Sequence, residues 1–417
     1  MFGIIWKSLR NRWLTAMLAV IGIAMSVALI MTVEKVRHDT RTSFTQTLSG
    51  TDLVVGARSG AIQLLLYSVF RIGNATNNIS WDSVNDIAAR PKVDWVVPLS
   101  LGDSHRGFRV LGTSQSYFTH YAYGSGRRLA LADGAVFDDV FDAVIGSEVA
   151  RKLGYTLGQQ IVVAHGTGSV GLVKHDKQPF RVSGILAPTG TPVDQTVHVS
   201  LEGIEAMHVD WQSGMKAPGP GTSAEEIRKM DLQPREVTAL LVGLKSRGTV
   251  FSEQRAINTY RAEPLLAILP GVALQELWSL VGVAESALLI VSGFVVLAGL
   301  VNLMSVLFAG LNERRREMAI LRASGASPRH VFFMLSGESV LLTVMGVLLG
   351  VGLHYMVIAV GSVWAQAEFG IGLNVSLPGE GEWLILAAIF VAGLCAGLLP
   401  AWRAYSQSLS DGMMQRL

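Results

Sequence analysis

Side chains able to do chemistry are few in this chain, and they are poorly arranged for it. Four histidines, His165, His175, His198 and His208, fall within a modest stretch, and imidazole is the commonest metal ligand. No two of them stand at the i, i+4 spacing that puts a ligand pair on one helix face. They read as scattered strand or surface residues, and no metal site is expected. Neither an HExxH sequence nor a nucleophile elbow occurs. The dipeptide Gly-Lys is absent, which removes the Walker A loop and with it a P-loop ATPase. Cys395, the sole cysteine, lies in an apolar run, so an intrachain disulfide and a cysteine-rich metal site are both excluded. The chemistry that stands out is basic. From Asn312 to Val331 the chain reads NERRREMAILRASGASPRHV, five arginines wedged between two long apolar runs.

Two carboxylates lie near or within apolar runs, Glu285 and Glu338. An ionisable group inside a membrane defaults to a functional site. Glu285, however, stands before the apolar core of its segment, and Glu338 only about two turns past the arginine stretch. Both are expected to reach headgroups, water or a basic partner rather than to couple an ion.

The elements that hold these residues follow from composition. The 417 residues are 50% hydrophobic and 16% charged, with mean hydropathy +0.40. Such values place the chain among membrane proteins. A net charge of +2 gives no reason to propose nucleic acid as a partner. Four segments are long and apolar enough to span a bilayer: Trp13–Val33, Ala287–Leu311, Val340–Val363 and Trp383–Trp402. The first follows Lys7, Arg10 and Arg12 like a signal peptide, but it is too long for one and lacks a small-x-small site before Glu34, so it reads as an uncleaved anchor.

Orientation follows the arginines and lysines of the short loops. The N-terminus and the loop carrying Arg314, Arg315, Arg316, Arg322 and Arg329 are basic, whereas Gln366 to Glu382 has no Lys or Arg. Both termini and the arginine loop are therefore expected in the cytoplasm. Lys35, Arg37 and Arg41 argue mildly the other way, but they open a long segment, and long domains translocate largely regardless of charge.

The expected fold is membrane α-helical, with four transmembrane helices and a large α+β extracytoplasmic domain between the first and second. Its divisions are 1–33, the N-terminus and first helix; 34–276, the exported domain, with 212–235 a loop or insertion; 277–311, the second helix; 312–330, a cytoplasmic elbow; 331–365, the third helix; 366–382, a short exported loop; 383–402, the fourth helix; and 403–417, the tail. Lys35 to Leu48 could continue the first helix. Asp94–Leu101, Phe108–Thr113, Gln160–His165, Phe180–Leu186 and Gln195–Leu201 are short β-branched runs bounded by turn residues and read as strands. Ser147–Leu153 and Leu201–His208 read as short helices.

Within the elbow, Met318 and Leu321 share a helix face. Gly325 suits the left-handed residue that ends a helix. Ser327 is a good N-cap, and Pro328 then takes the first helical position, where its missing N–H costs nothing. The pattern is a helix, a tight turn and a second helix running into the third span. Arginines that only fix topology or meet lipid headgroups would need neither the apolar face nor the turn. In the spans, Gly346 and Gly350, and again Gly393 and Gly397, have the GxxxG spacing that lets helices approach closely, within one subunit or between two.

The stretch RRREMAILRASGASPRHVFFMLSGES resembles the signature of the permease subunits of bacterial ABC transporters of the MacB/FtsX/LolC type. VIGSEVARKLGYTLGQQIVV and FRVSGILAPTGTPVDQTVHVSLEGIEA are similar to that family's periplasmic core domain. LPGVALQELWSLVG resembles its return into the membrane, and LLPAWRAYSQSLSDGM its C-terminal end. The tail departs from the family where Ser410-Asp411 replaces a usual proline, so nothing is carried over there.

The resemblance implies a non-enzymatic permease with no cofactor of its own, ATP being bound by a separate MacB/LolD-type ATPase. It implies a second permease copy, a homodimer being favoured, with a periplasmic adaptor or lipoprotein as a further partner and lipid around the spans. By position in the motif, Arg316, Glu317, Ala319, Leu321, Arg322, Gly325 and Ala326 would contact the ATPase as a coupling helix. ATP-driven motion would then reach the periplasmic domain and extrude or mobilise a substrate. The alternative within the family is a non-transporting, FtsX-like signalling protein that activates periplasmic partners. A membrane sensor or enzyme would need an output domain or a catalytic set, and the sequence offers neither.

Overall fold

The computed structural model describes residues 10, 12–165, 179–212, 215–216, 222–313, 325, 327–369 and 375–406. Four helices in it are long and apolar enough to cross a membrane: Trp13–Gln46, Pro270–Leu311, Pro328–Ser362 and Glu380–Ser406. A large α+β domain lies in sequence between the first and the second. Chain contacts divide the protein into two compact units. One comprises residues 1–39, 282–364 and 373–417; the other comprises 40–281 and 365–372.

The α+β unit is organised by one 11-stranded sheet. Nine of its strands are β1 (Leu53–Ala57), β2 (Val93–His105), β3 (Phe108–Thr113), β4 (Leu131–Gly134), β5 (Asp142–Ile145), β6 (Phe180–Leu186), β7 (Thr196–Ser200), β8 (Ala239–Leu244) and β9 (Leu265–Ile268). Their spatial order is β9-β1-β8-β2-β3-β7-β5-β6-β4. The β3–β7 and β5–β6 pairs are parallel.

Strands β1, β5, β7 and β8 are buried along their whole length, which is why LVVGA, DAVI and ALLVGL read as continuous apolar runs rather than as alternation. Successive side chains feed opposite faces. Val54, Leu241 and Val97 stand in register on one face, within a core that also takes Leu64, Leu65, Tyr117 and Tyr121. On the other face Leu53, Val55, Leu240 and Val242 pack with Val84, Ile87 and Ile257, while Ala143, Ile145, Val197 and Val199 pack with Val149 and Met207.

One expectation is corrected here. Gln160–His165 is not one strand: Gln160–Ile161 pairs with β6 and Ala164–His165 with β2, so the segment changes partners midway. Within 212–235, expected to be a loop or insertion, the described residues include two short elements. Trp211–Gln212 pairs with Met215–Lys216, and Ala224–Ile227 forms a helical turn held by a capping box in which Ser223 and Glu226 bond each other's backbone N–H. Fully buried Ile227 anchors that turn.

The turn before β7 is built around Asp194, which is 1% exposed. One carboxylate oxygen accepts from the Thr189 N–H and hydroxyl, both at 2.8 Å, and the other from the Gly190 N–H at 2.7 Å. Both oxygens face donors, so an amide in place of the carboxylate must turn its NH2 toward one of them. Asp194→Asn is therefore expected to lower unfolding free energy by about 2 kcal/mol. Urea unfolding of the purified chain reads this; an unchanged midpoint would mean that the turn does not depend on the carboxylate.

In the membrane unit, Ala19, Val20, Ile23, Val27 and Met31 of the first helix form the core with Leu303 and Leu307 of the second, Leu342 of the third, and Leu386 and Ile389 of the fourth. Polar contacts tie the first two helices: Asn302 donates to the Leu18 carbonyl at 3.1 Å, and Ser26 to the Val295 carbonyl at 3.0 Å. Between span helices, such bonds help to specify which faces meet. Phe294, Leu297, Val301, Met356, Val360, Leu384 and Val391 remain exposed, as lipid-facing side chains do.

Candidate coupling elbow and the helix ends around it

Of the seven residues expected to touch an ATPase, Arg316, Glu317, Ala319, Leu321, Arg322 and Ala326 lie outside the described residues; Gly325 lies within them. Its φ is +102°, a conformation that L side chains rarely adopt. Ser327 follows, and Pro328 opens the third span helix. The Ser327 hydroxyl is hydrogen-bonded to His330 Nδ1 at 2.7 Å, while the Ser327 carbonyl accepts the His330 N–H at 3.0 Å. The helix start is thus pinned two residues beyond the glycine.

The helix ends beside this turn form their own apolar knot. Leu311 of the second helix, Val331 and Leu335 of the third, and Ala401 and Ala404 of the fourth are all buried in one cluster, with Phe308 and Phe332 against it. Arg403 lies 5.8 Å above the Phe308 ring, and the Arg12 guanidinium donates to the Gly310 carbonyl at 3.0 Å. The ends of three span helices are thus packed together here. Glu338 is buried nearby and lines, with Arg12, a cavity of about 20 Å³, room for a single water.

The GxxxG residues sit on neighbouring helices of the same chain. A Cβ on Gly346 would fall 2.7 Å from Ile23, and one on Gly350 2.7 Å from the Ala24 carbonyl oxygen and from Val27. Gly393 lies against Thr343 and Gly397 against Ser339. Both pairs therefore seat helix on helix inside the subunit.

At the opposite end of the unit lies a polar group that the sequence did not single out: Thr32, Lys35, Asp39, His354, Ser376 and Glu382. Lys35, Asp39, His354 and Glu382 are each less than 10% exposed. Its members come from distant parts of the chain, and a lone histidine in an apolar run gives no sign of its partners.

Of the four histidines, His198 and His208 stand on separate elements. His198 is fully buried on β7, with Nδ1 3.2 Å from the Val144 carbonyl oxygen, the Tyr117 ring 5.5 Å away and the Phe118 ring 5.8 Å away. Its burial lowers its pKa to about 3. His208 ends the short helix Leu201–His208, and His175 lies outside the described residues. Among the described residues no group of three or more His, Cys, Asp or Glu is placed to hold a metal ion.

The sequence is similar to those of known proteins. Residues 13–242 match the family described as MacB-like periplasmic core domain, and residues 289–409 the family described as FtsX-like permease C-terminal. The macrolide export ATP-binding/permease protein MacB of Azoarcus sp. (strain BH72) is 23% identical over 417 residues, covering 95% of this chain and 57% of that protein. The protein of the same name from Bdellovibrio bacteriovorus is 23% identical over 360 residues, covering 81% of this chain and 50% of that protein. The chain thus spans about half the length of these curated relatives. The crystal structure of the periplasmic region of MacB from Actinobacillus actinomycetemcomitans is 13% identical with a TM-score of 0.34, covering 55% of this chain and 94% of that one.

Proposed function

We infer the function of this chain from its family: it belongs to the ABC transporter permeases of the MacB/FtsX type, as a multi-pass membrane protein. Its role is to receive ATP-driven motion from a partner ATPase and pass it to the α+β domain, which extrudes or mobilises a substrate on the far side of the membrane. Export is what the MacB relatives are named for, and for this chain the kind of substrate stays open. We place ATP binding on the partner because no Gly-Lys dipeptide is available for a phosphate loop. The basic loops put both termini and the elbow in the cytoplasm and the α+β domain in the periplasm. A second copy of the chain completes the permease, and an adaptor or lipoprotein meets it in the periplasm.

The observation that carries this reading is the apolar knot of Leu311, Val331, Leu335, Ala401 and Ala404 beside the Gly325 turn. It gives a basic elbow mechanical purchase on three span helices at once. Arginines that merely set topology need no such base.

The test is co-purification with an ATP-hydrolysing partner, followed by reversal of Arg316 and Arg322 to Glu. Removing one side of a buried, hydrogen-bonded charge pair costs about 2–5 kcal/mol. Hydrolysis stimulated by the chain is therefore expected to fall at least about tenfold, while the amount of folded chain is unchanged. Normal stimulation by the reversed chain would rule out the elbow as the contact.

A further inference from the structure

The first and third span helices meet along a ridge of four buried residues at four-residue steps: Leu342, Gly346, Gly350 and His354. Ridges of this i±4n kind seat one helix in the groove of another. The two glycines present no side chain to interlock, and Ile23, Ala24 and Val27 lie directly on them. That part of the seam is smooth. Nothing in it sets the height of one helix against the other.

His354 does set it. It is 2% exposed and hydrogen-bonded through Nδ1 to the Thr32 hydroxyl at 3.1 Å. One turn further along the first helix, Lys35 pairs with Asp39 at 3.1 Å and donates to Ser376 Oγ at 2.9 Å. The Ser376 carbonyl in turn accepts from the Tyr355 hydroxyl at 3.1 Å, so the third helix, the segment before the fourth and the first helix close into one knot. Glu382 accepts the Gly379 N–H at 2.8 Å.

A buried ion pair is weak support for stability, because apolar replacements of similar volume are often neutral or better. Its best-attested use is to specify register. We propose that Thr32, Lys35 and His354 are positioning residues that fix the register of the first span helix against the glycine track of the third, so that opening this polar knot lets the two helices step past each other. The inference deepens the permease reading, on which it rests only for what drives the step. A single ratchet of one helix past another is about one turn, ~5.4 Å.

The experiment uses the full chain in lipid nanodiscs with Cys395→Ser, which removes the sole cysteine. Spin labels go on Met17→Cys and Met345→Cys, which line one groove between the two helices, well away from the knot. The otherwise unaltered chain is expected to give one distance. His354→Leu with Lys35→Met should add a second population displaced by about 5 Å, one helical turn. Lys35→Arg and His354→Gln keep a donor or acceptor in place and should restore the single distance.

Should the double variant not fold, Thr32→Val preserves shape while deleting the hydroxyl, and it too should show the second population. A single unshifted distance in every foldable knot variant overturns the proposal. So does a second population in the conservative variants equal to that in the others. These distances require no ATPase. A failure to find any ATPase that responds to the chain would therefore count against the permease reading and leave the joint untouched.

Discussion

The His198→Leu chain is expected to keep its α+β domain folded at acid pH where the natural sequence unfolds. His198 is fully buried between aromatic rings, and its pKa falls from 6.5 to about 3 because burial opposes the charged form, with the Arg71 charge adding to the effect. Unfolding frees the ring to bind a proton at its ordinary pKa, so between these two values the unfolded chain binds more protons than the folded one. Stability contributed by the neutral ring is complete above pH 6.5 and is lost as pH falls from there toward about 3. At pH 4 the loss is on the order of 3 kcal/mol.

Leucine removes the titration and gives up the hydrogen bond to the Val144 carbonyl, which costs about 1 kcal/mol near neutrality. The two stability curves should therefore cross. His105, hydrogen-bonded to the Val162 carbonyl oxygen at 2.6 Å and to the Tyr155 hydroxyl at 2.9 Å, is shifted down by burial as well and contributes in the same direction. Urea unfolding from pH 7 to pH 4 decides the matter. Parallel curves for natural and variant chains would show that His198 finds water or a proton in the folded domain.

What could be read in advance depended on whether the signal was local. Phe108–Thr113 and Phe180–Leu186 are strands whose ends fall at turn residues, and Ser147–Leu153 is a helix closed by Gly154 at φ +67°. Each of those signals lies within a few residues of what it predicts. Gln160–His165 misled because a β-branched run does not reveal that its two ends pair with different strands. The Ser223–Glu226 capping box was present in the sequence as S-x-x-E, but a region rich in Gly and Pro hid it. The polar knot was illegible for a deeper reason. Thr32 and His354 are 322 positions apart, Lys35 and Ser376 341 apart, and only the packing of the spans makes them neighbours. The glycines show an intermediate case. Their spacing announces close approach, but it does not say that Gly346 and Gly350 receive the first helix while Gly393 and Gly397 receive the third.

Gly350→Val is expected to prevent recovery of a folded chain, whereas Gly352→Val, two positions on, should be tolerated. At Gly350 an added Cβ would sit 2.7 Å from the Ala24 carbonyl oxygen, 2.7 Å from Val27 Cβ and 2.9 Å from Val27 Cγ1. Two of those atoms are fixed by backbone or by the first bond of a β-branched side chain, so neither can rotate away. The helices must separate instead, and the core made by Ala19, Ile23 and Val27 with Leu342 loses contact along the seam. Overpacking of this kind costs about 1–3 kcal/mol for one or two extra carbons. Valine adds three carbons at the closest point of the seam, so the upper end applies, with Gly350→Ala between valine and the natural residue. At Gly352 nothing lies within 4 Å of the added atom, which makes it a control for valine in this helix that leaves the seam intact. Both substitutions add the same apolar bulk, so any difference reports the seam alone. Monodisperse protein after heating, measured by size-exclusion chromatography in detergent, should rank the chains as natural, Gly352→Val, Gly350→Ala and Gly350→Val. Equal recovery of the two valine variants would mean that the first and third helices do not touch where the glycines place them.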